Sequence, residues 1–137
     1  MPPAASRSHP ALGVALGLVA VVGLATLCHV LGYGAPQAEA GYPFTSYFTG
    51  CIGWPFAAAY ALAAGALGWA TRSARPVALG MMLPLPLALV AEVVLDPTSH
   101  NLFPFEIALF WLPAFGIAFL GARLGDGLRE RAARVAA

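Results

Sequence analysis

Charged residues are scarce in this 137-residue chain, and lysine is absent altogether. Only 9% of the residues are charged, against about 25% in an average soluble domain. Hydrophobic residues make up 60% of the chain. A soluble domain of this length needs more charge to cover its surface, so most of this surface must face something other than water. A lipid bilayer is the environment that fits the composition.

The same scarcity excludes several functional classes. A net charge of +1, with no basic run inside an apolar segment, leaves no electrostatic footprint for a nucleic acid. The chain has no phosphate-binding Gly-Lys-Ser/Thr loop, no His pair around a Glu at metalloprotease spacing and no Cys-x-x-Cys motif. The sequence therefore carries no familiar catalytic or zinc-binding signature, and it identifies no cofactor.

What the chain does contain is a set of long apolar runs. Each is close to the ~20 residues that a helix needs to cross the hydrocarbon core of a bilayer. The runs are continuous rather than alternating, which excludes the strands of a membrane β-barrel. We therefore predict an all-α membrane protein, an antiparallel bundle of four transmembrane helices at residues 11–32, 48–70, 77–95 and 102–120.

The arginines predict how this bundle is oriented. They precede the first run, lie between the second and third, or follow the fourth: Arg7, Arg72, Arg75, Arg123, Arg129, Arg131 and Arg134. All of them therefore fall on one side, and the positive-inside rule places both termini in the cytoplasm. We expect a multi-pass protein of the bacterial inner membrane, with a basic amphipathic cytoplasmic tail at 121–137 near anionic lipid headgroups.

The first run admits a second interpretation. Arg7, an apolar run and then Ala38-Glu39-Ala40 resemble a secretory signal with a small-residue cleavage site. The apolar core of a signal peptide is roughly 7 to 15 residues long, however, whereas this run matches a complete membrane span. A retained first helix is the favoured interpretation, and cleavage would leave the orientation of the other three spans unchanged.

Prolines and small residues predict how the helices pack. Pro84 and Pro86 lie in the middle of the third run, where each removes a backbone donor, so we expect a kink there. Small residues recur at four-residue spacing in the first two runs, at Gly13, Gly17, Ala57, Ala61, Ala64, Gly65 and Gly68. Such spacing lets helix backbones approach closely. Packing within the bundle is its favoured use, and a homodimer interface is the alternative.

A polar stretch between the third and fourth runs is the most unusual part of the chain. It contains Glu92, Asp96, His100 and Glu106. Turn chemistry after a helix end accounts for Asp96, and an acid such as Glu106 is favoured in the first turn of a helix. Glu92 lies inside the predicted membrane boundary, where an ionisable group usually faces the bundle interior and pairs with another group. We expect it to approach His29, which lies at a similar depth on the first helix, or the first turn of the fourth helix.

Two pairs of side chains complete the set of candidates. Cys28 and Cys51 are predicted at matched depth on consecutive helices, so a disulfide forms if their Cα atoms lie within about 7 Å. Free buried thiols are the favoured interpretation. Trp54 and Trp111 are candidates to line the bundle, where an indole N–H needs a partner. Ordinary packing against lipid or core is the favoured interpretation for both tryptophans.

These features favour a non-enzymatic membrane protein. It would be a carrier for a small solute or ion, which needs a polar path past Glu92, or an accessory subunit of a membrane complex, which needs only a packing face. A homo-oligomer or a larger complex is the expected assembly. The alternative is a metal-binding protein or membrane enzyme that uses Glu92, Asp96, His100 and Glu106 at the outer face. No catalytic residue is assigned.

Overall fold

The computed structural model describes residues 9–33, 42–98, 105 and 107–136. Within these ranges the chain is helical and forms no strand. The α-helices are α1 (Pro10–Val30), α2 (Pro43–Thr49), α3 (Trp54–Thr71), α4 (Ala74–Met82), α5 (Pro84–Leu95) and α6 (Leu112–Val135), with a π-helical turn at Ile107–Trp111 before α6. The predicted all-helical class is confirmed.

Two helical stretches are long and apolar enough to cross a membrane. They are Pro10–Val30 and Ala74–Leu95, the second of which joins α4 and α5. Helices α2 and α3 make a third candidate if they count as one span, although they are bent by 86° at the break between them. The described residues thus support an α-helical membrane protein with two or three candidate spans, and four uniform spans are not confirmed.

The second predicted span, at 48–70, is wrong in its first residues. Helix α2 ends at Thr49, and the chain turns before α3 begins at Trp54. Gly53 is extended, with φ −176° and ψ 169°, and Pro55 occupies the first turn of α3. Proline has no N–H to continue a helix from the residues before it but is favoured at a helix start. Hydropathy alone does not register this break, because the turn residues are themselves largely apolar.

The third predicted span is interrupted where its prolines lie, as expected. Helix α4 ends at Met82 and α5 begins at Pro84. Pro86 has no N–H to donate to the carbonyl of Met82, and the indole of Trp111 donates to that oxygen instead, at 3.0 Å. Trp111 therefore faces the bundle with a partner for its indole N–H. Trp54 does not line the bundle, since it is 90% exposed.

The fourth predicted span begins outside the described residues and continues farther than expected. Its first described segment is the π-helical turn, which is followed by Pro113 in the first turn of α6. A proline cannot donate to the carbonyl four residues before it, and widening of the preceding turn accommodates this loss. From Leu112 the helix runs unbroken to Val135, so the predicted tail at 121–137 continues the same helix as far as Val135.

Small residues form the contacts between helices. The main interfaces join α3 to α6 and α1 to α4, and α4 also packs on α6. A Cβ built on Gly68 would lie 2.6 Å from the Cα of Ala122, and one on Gly17 would lie 2.9 Å from the backbone nitrogen of Met81. These separations are too short for real contacts, so the backbones touch because side chains are absent. Packing of these small residues within the chain is confirmed.

Large apolar side chains lie on the outside of the helices. Leu62 of α3 and Leu120 of α6 are 75% and 63% exposed, whereas Ala64 and Ala118 on the same helices are fully buried. This distribution is the one expected where lipid surrounds the protein and small residues let helices approach each other.

Candidate functional site

Glu92 of α5 is buried against the first turn of α2. Its side chain is 2% exposed. Oε1 accepts hydrogen bonds from the backbone N–H groups of Phe44, at 2.6 Å, and Thr45, at 2.8 Å. Oε2 accepts from the Thr45 hydroxyl at 2.6 Å. The first N–H groups of a helix have no partner within it, and a carboxylate at that end also meets the positive end of the helix dipole. Glu92 therefore caps α2 from another helix.

The opposite part of α2 is held by α1. Nε2 of His29 lies 2.8 Å from the carbonyl oxygen of Tyr47 and must donate its proton, since a carbonyl only accepts. The imidazole stacks on the Tyr47 ring with 4.6 Å between centroids. The Tyr47 hydroxyl shares a hydrogen bond of 2.7 Å with the Thr26 hydroxyl. His29 and Glu92, which we expected to approach each other, thus bind α2 at different points, His29 at Tyr47 and Glu92 at the first turn. The other partner expected for Glu92, the first turn of the fourth helix, lies largely outside the described residues.

The rest of the predicted polar cluster divides in two. Asp96 follows α5 and accepts hydrogen bonds from the hydroxyl of Thr98 at 2.7 Å and from its backbone N–H at 2.9 Å. The hydrogen bond from the Thr98 hydroxyl holds the pKa of the Asp96 carboxyl below its usual value, and the bond from the Thr98 backbone N–H adds a smaller effect in the same direction. His100 and Glu106 lie outside the described residues. Among the residues that the structure does describe, no three His, Cys, Asp or Glu side chains come together as a metal site.

The two cysteines meet where the turn between α2 and α3 contacts α1. Both are free thiols, with Cys51 buried and Cys28 half-buried. The Cys51 sulfur lies 3.7 Å from the carbonyl oxygens of Ala25 and Tyr47. Cys28 and Cys51 also line the same cavity. The matched depth that we inferred from the sequence thus corresponds to a real proximity, although no bridge joins the sulfurs.

An apolar cavity that sequence reasoning missed lies beside these thiols. Its outer part, of about 300 Å³, is bounded by α1, the turn after α2 and the start of α3. An inner part of about 90 Å³ extends toward α4 and α6. Ile52 and Phe56 line both parts, so the two adjoin. The turn between α2 and α3 forms one wall of this space, with Cys51, Ile52 and Gly53 among the lining residues.

Tyr60 lines the inner part of the cavity. Its side chain is 5% exposed, and its hydroxyl has no hydrogen-bond partner in the described part of the chain. The position of Tyr60 within a long apolar run was the one signal in the sequence, since a buried phenol normally finds a polar partner.

Comparisons with protein-family models, with curated proteins and with solved structures find no match for this chain.

The two polar features differ in what they can do chemically. The Glu92 carboxylate is engaged by the N–H and hydroxyl donors of α2, so its hydrogen bonds organise the fold. The Tyr60 hydroxyl is a hydrogen-bond donor and acceptor without a partner in the described residues, and it belongs to a residue that lines the inner part of the cavity. A small molecule with one polar group would complement the Tyr60 hydroxyl. The Glu92 carboxylate, which already accepts hydrogen bonds from α2, would offer it little to bind.

Proposed function

We propose that this is a non-enzymatic integral membrane protein that binds a lipid-soluble small molecule in the cavity beside Tyr60. The observation that carries this proposal is the buried Tyr60 hydroxyl without a partner in the described residues. A buried hydroxyl left unpaired costs about 1–3 kcal/mol. An alcohol, ketone or ester oxygen of a ligand would supply the missing hydrogen bond. Among the functions expected from the sequence, this proposal corresponds to a protein for a small solute.

The shape and chemistry of the cavity support an amphiphilic ligand. Small-molecule sites are typically apolar with a few polar groups that fix orientation. Leu24, Leu27 and Phe56 supply apolar walls in the outer part, and Tyr60 lines the inner part. A chain of several carbons would therefore lie against the outer walls, with its polar group directed inward.

We further propose that the complete chain crosses the bacterial inner membrane four times with both termini in the cytoplasm. The fourth crossing would consist of the π-helical turn and the first part of α6. Support comes from the arginines of the loop after α3 and of α6, which would then share the cytoplasmic side. In this orientation α2 and the mouth of the cavity lie near the outer face.

Photolabelling with a diazirine derivative of octanol tests the binding proposal directly. The purified protein is irradiated with the probe, and the labelled residues are mapped by mass spectrometry. We expect labels on the cavity walls of α1 and α3, competed by excess octanol. Tyr60→Phe removes only the hydroxyl and should weaken competition about two- to tenfold, the value of one hydrogen bond.

Tyr47→Phe is the matched control for that experiment. It also removes one phenol hydroxyl, but this one binds Thr26 and lies outside the cavity walls. Labelling should be unchanged in this variant. Labels spread evenly over the exposed apolar residues, or labelling of the cavity that is identical in Tyr60→Phe and the unmodified protein, would contradict the proposal.

An accessory subunit of a membrane complex is the second candidate. Such a subunit needs only an exposed packing face, and the exposed apolar side chains of α3 and α6, such as Leu62 and Leu120, would supply one. An ion relay through Glu92 would have to break the hydrogen bonds that cap α2. A homo-oligomer or larger assembly that survives purification in mild detergent, combined with no labelling of the cavity, would favour this candidate over ligand binding.

A further inference from the structure

The end of the molecule far from Glu92 carries a concentration of arginines around an open cleft. Here the turn after α3, the start of α4 and the middle of α6 meet. The cleft has a volume of about 440 Å³. We call it the arginine cleft and define it by the side chains that line it, which include Arg72, Arg75, Phe119, Arg123 and Asp126.

The guanidinium groups of this cleft are not neutralised by the protein. Three arginines face one carboxylate, that of Asp126, which leaves a net charge of +2. The ion pair that the structure describes joins Arg134 to Glu130, at 3.9 Å. Within the described ranges, none of the three cleft arginines has an acidic partner within 4.0 Å. Positive charge therefore exceeds negative charge by two among the side chains that line this cleft.

A neighbouring arginine shows what a purely structural role looks like in this protein. Nη1 of Arg129 donates to the carbonyl oxygens of Trp69, at 2.6 Å, and Ala70, at 3.2 Å. These carbonyls belong to the last turn of α3, which has no helical donors for them. Arg129 therefore satisfies the end of α3, whereas Arg72, Arg75 and Arg123 have no such bond to the protein in the described part of the chain.

Arg72 has a backbone conformation that makes its identity informative. It ends α3 in the left-handed region, with φ 54° and ψ 34°. Glycine is the residue usually found at this position of a helix end, because a side chain is disfavoured there. The folding of the turn alone would therefore favour glycine at position 72, so the arginine side chain is retained at a conformational cost.

We propose that Arg72, Arg75 and Arg123 bind the phosphate group of an anionic phospholipid in the adjoining leaflet. A planar guanidinium presents paired N–H donors that match phosphate oxygens. The cleft lies at the end of helices long and apolar enough to cross a membrane, where headgroups are found. Phe119 and Pro76 give one side of the cleft an apolar surface that suits the glycerol and upper acyl chain.

Lipid retention measured by native mass spectrometry tests this proposal. The full chain is equilibrated in mixed micelles of phosphatidylglycerol and phosphatidylcholine and then released from detergent. We expect selective retention of phosphatidylglycerol. Arg123→Gln should weaken retention about fivefold, the effect of one arginine near a membrane surface. Arg131→Gln is the matched control, since it makes the same change on the same helix outside the cleft.

Arg72→Gly separates binding from folding. The substitution places the favoured residue at a left-handed position, so the thermal midpoint should stay equal or rise while retention of phosphatidylglycerol falls. Equal losses in Arg123→Gln and Arg131→Gln would overturn the proposal in favour of diffuse surface charge. Binding of inorganic phosphate in a zwitterionic detergent, undiminished when phosphatidylglycerol is present, would overturn it in favour of a free phosphate ligand.

Discussion

Glu92 illustrates, at the scale of a single residue, how a carboxylate is accommodated beside apolar helices. Its oxygens accept hydrogen bonds from the N–H groups of Phe44 and Thr45 and from the Thr45 hydroxyl, which take the place of water. The same donors would be unpaired at the start of α2 without it. The acid and the short helix therefore stabilise each other, and removal of either leaves buried polar groups without partners.

Substitution of Glu92 measures this mutual stabilisation. Glu92→Gln keeps an oxygen for the backbone donors but loses the charge at the helix start, so we expect a loss of about 1 kcal/mol in the free energy of unfolding. Glu92→Ala leaves the donors without an acceptor and should cost about 3 kcal/mol. Chemical unfolding in detergent, followed by circular dichroism, gives both values. Equal stability of the Ala and Gln variants would contradict the capping role.

Asp96 provides a pH-dependent prediction at the same scale. Thr98→Val removes the hydroxyl donor, so the pKa of Asp96 should rise toward its ordinary value, as measured by NMR titration of the carboxyl carbon. A carboxyl whose pKa is lowered by folding stabilises the folded state above its unfolded pKa and loses this effect as the pH falls through the folded pKa. The variant should therefore lose less stability on acidification. An unchanged pKa would show that the Thr98 hydroxyl does not determine it.

At the scale of elements, apolar length predicted the helices and proline predicted where some of them break. Pro84 and Pro86 marked the interruption between α4 and α5, and Pro55 marks the start of α3. The 86° bend between α2 and α3 was not predictable from hydropathy, since the turn residues Cys51 and Ile52 are as apolar as the helix itself.

The candidate site, like the helices, could be predicted from the sequence only in part. The burial of Glu92 followed from its position inside an apolar run, because an ionisable group at that depth avoids lipid. Its partners did not follow, because Thr45 is 47 residues away and lies before the second predicted span, in a segment for which no helix was predicted. The Tyr60 cavity was equally hidden, since its walls come from several helices that are distant in sequence.

Close packing of α3 on α6 gives a prediction for the element scale. Gly68→Ala places a methyl group against the backbone of Ala122 and should destabilise the protein by about 1–3 kcal/mol through overpacking. Gly116→Ala is the matched control, because a Cβ there meets nothing within 4 Å. Alanine has the higher helix propensity, so this control should be neutral or stabilising by up to about 1 kcal/mol. Thermal unfolding of the two variants compares them directly.

Topology is the question that belongs to the whole molecule. If the chain crosses the membrane four times, a reporter that is active only in the cytoplasm will be active when fused after Ala137 and inactive when inserted near Glu39. Three crossings would place the C-terminus on the opposite side and silence the first fusion. A cytoplasmic signal near Glu39 would reverse the orientation and with it the proposed outer position of the cavity.

The bond between Glu92 and α2 also sets an order in time. Synthesis delivers the α2 segment first, and its acceptor is made 47 residues later. At about 5–20 residues per second, the interval is a few seconds. During that interval α1 is already available to contact α2 through His29 and Thr26, whereas the first turn of α2 has no carboxylate to accept its N–H groups. The α2 segment is therefore synthesised early, but its first turn receives a hydrogen-bond acceptor only later, when α5 packs beside it.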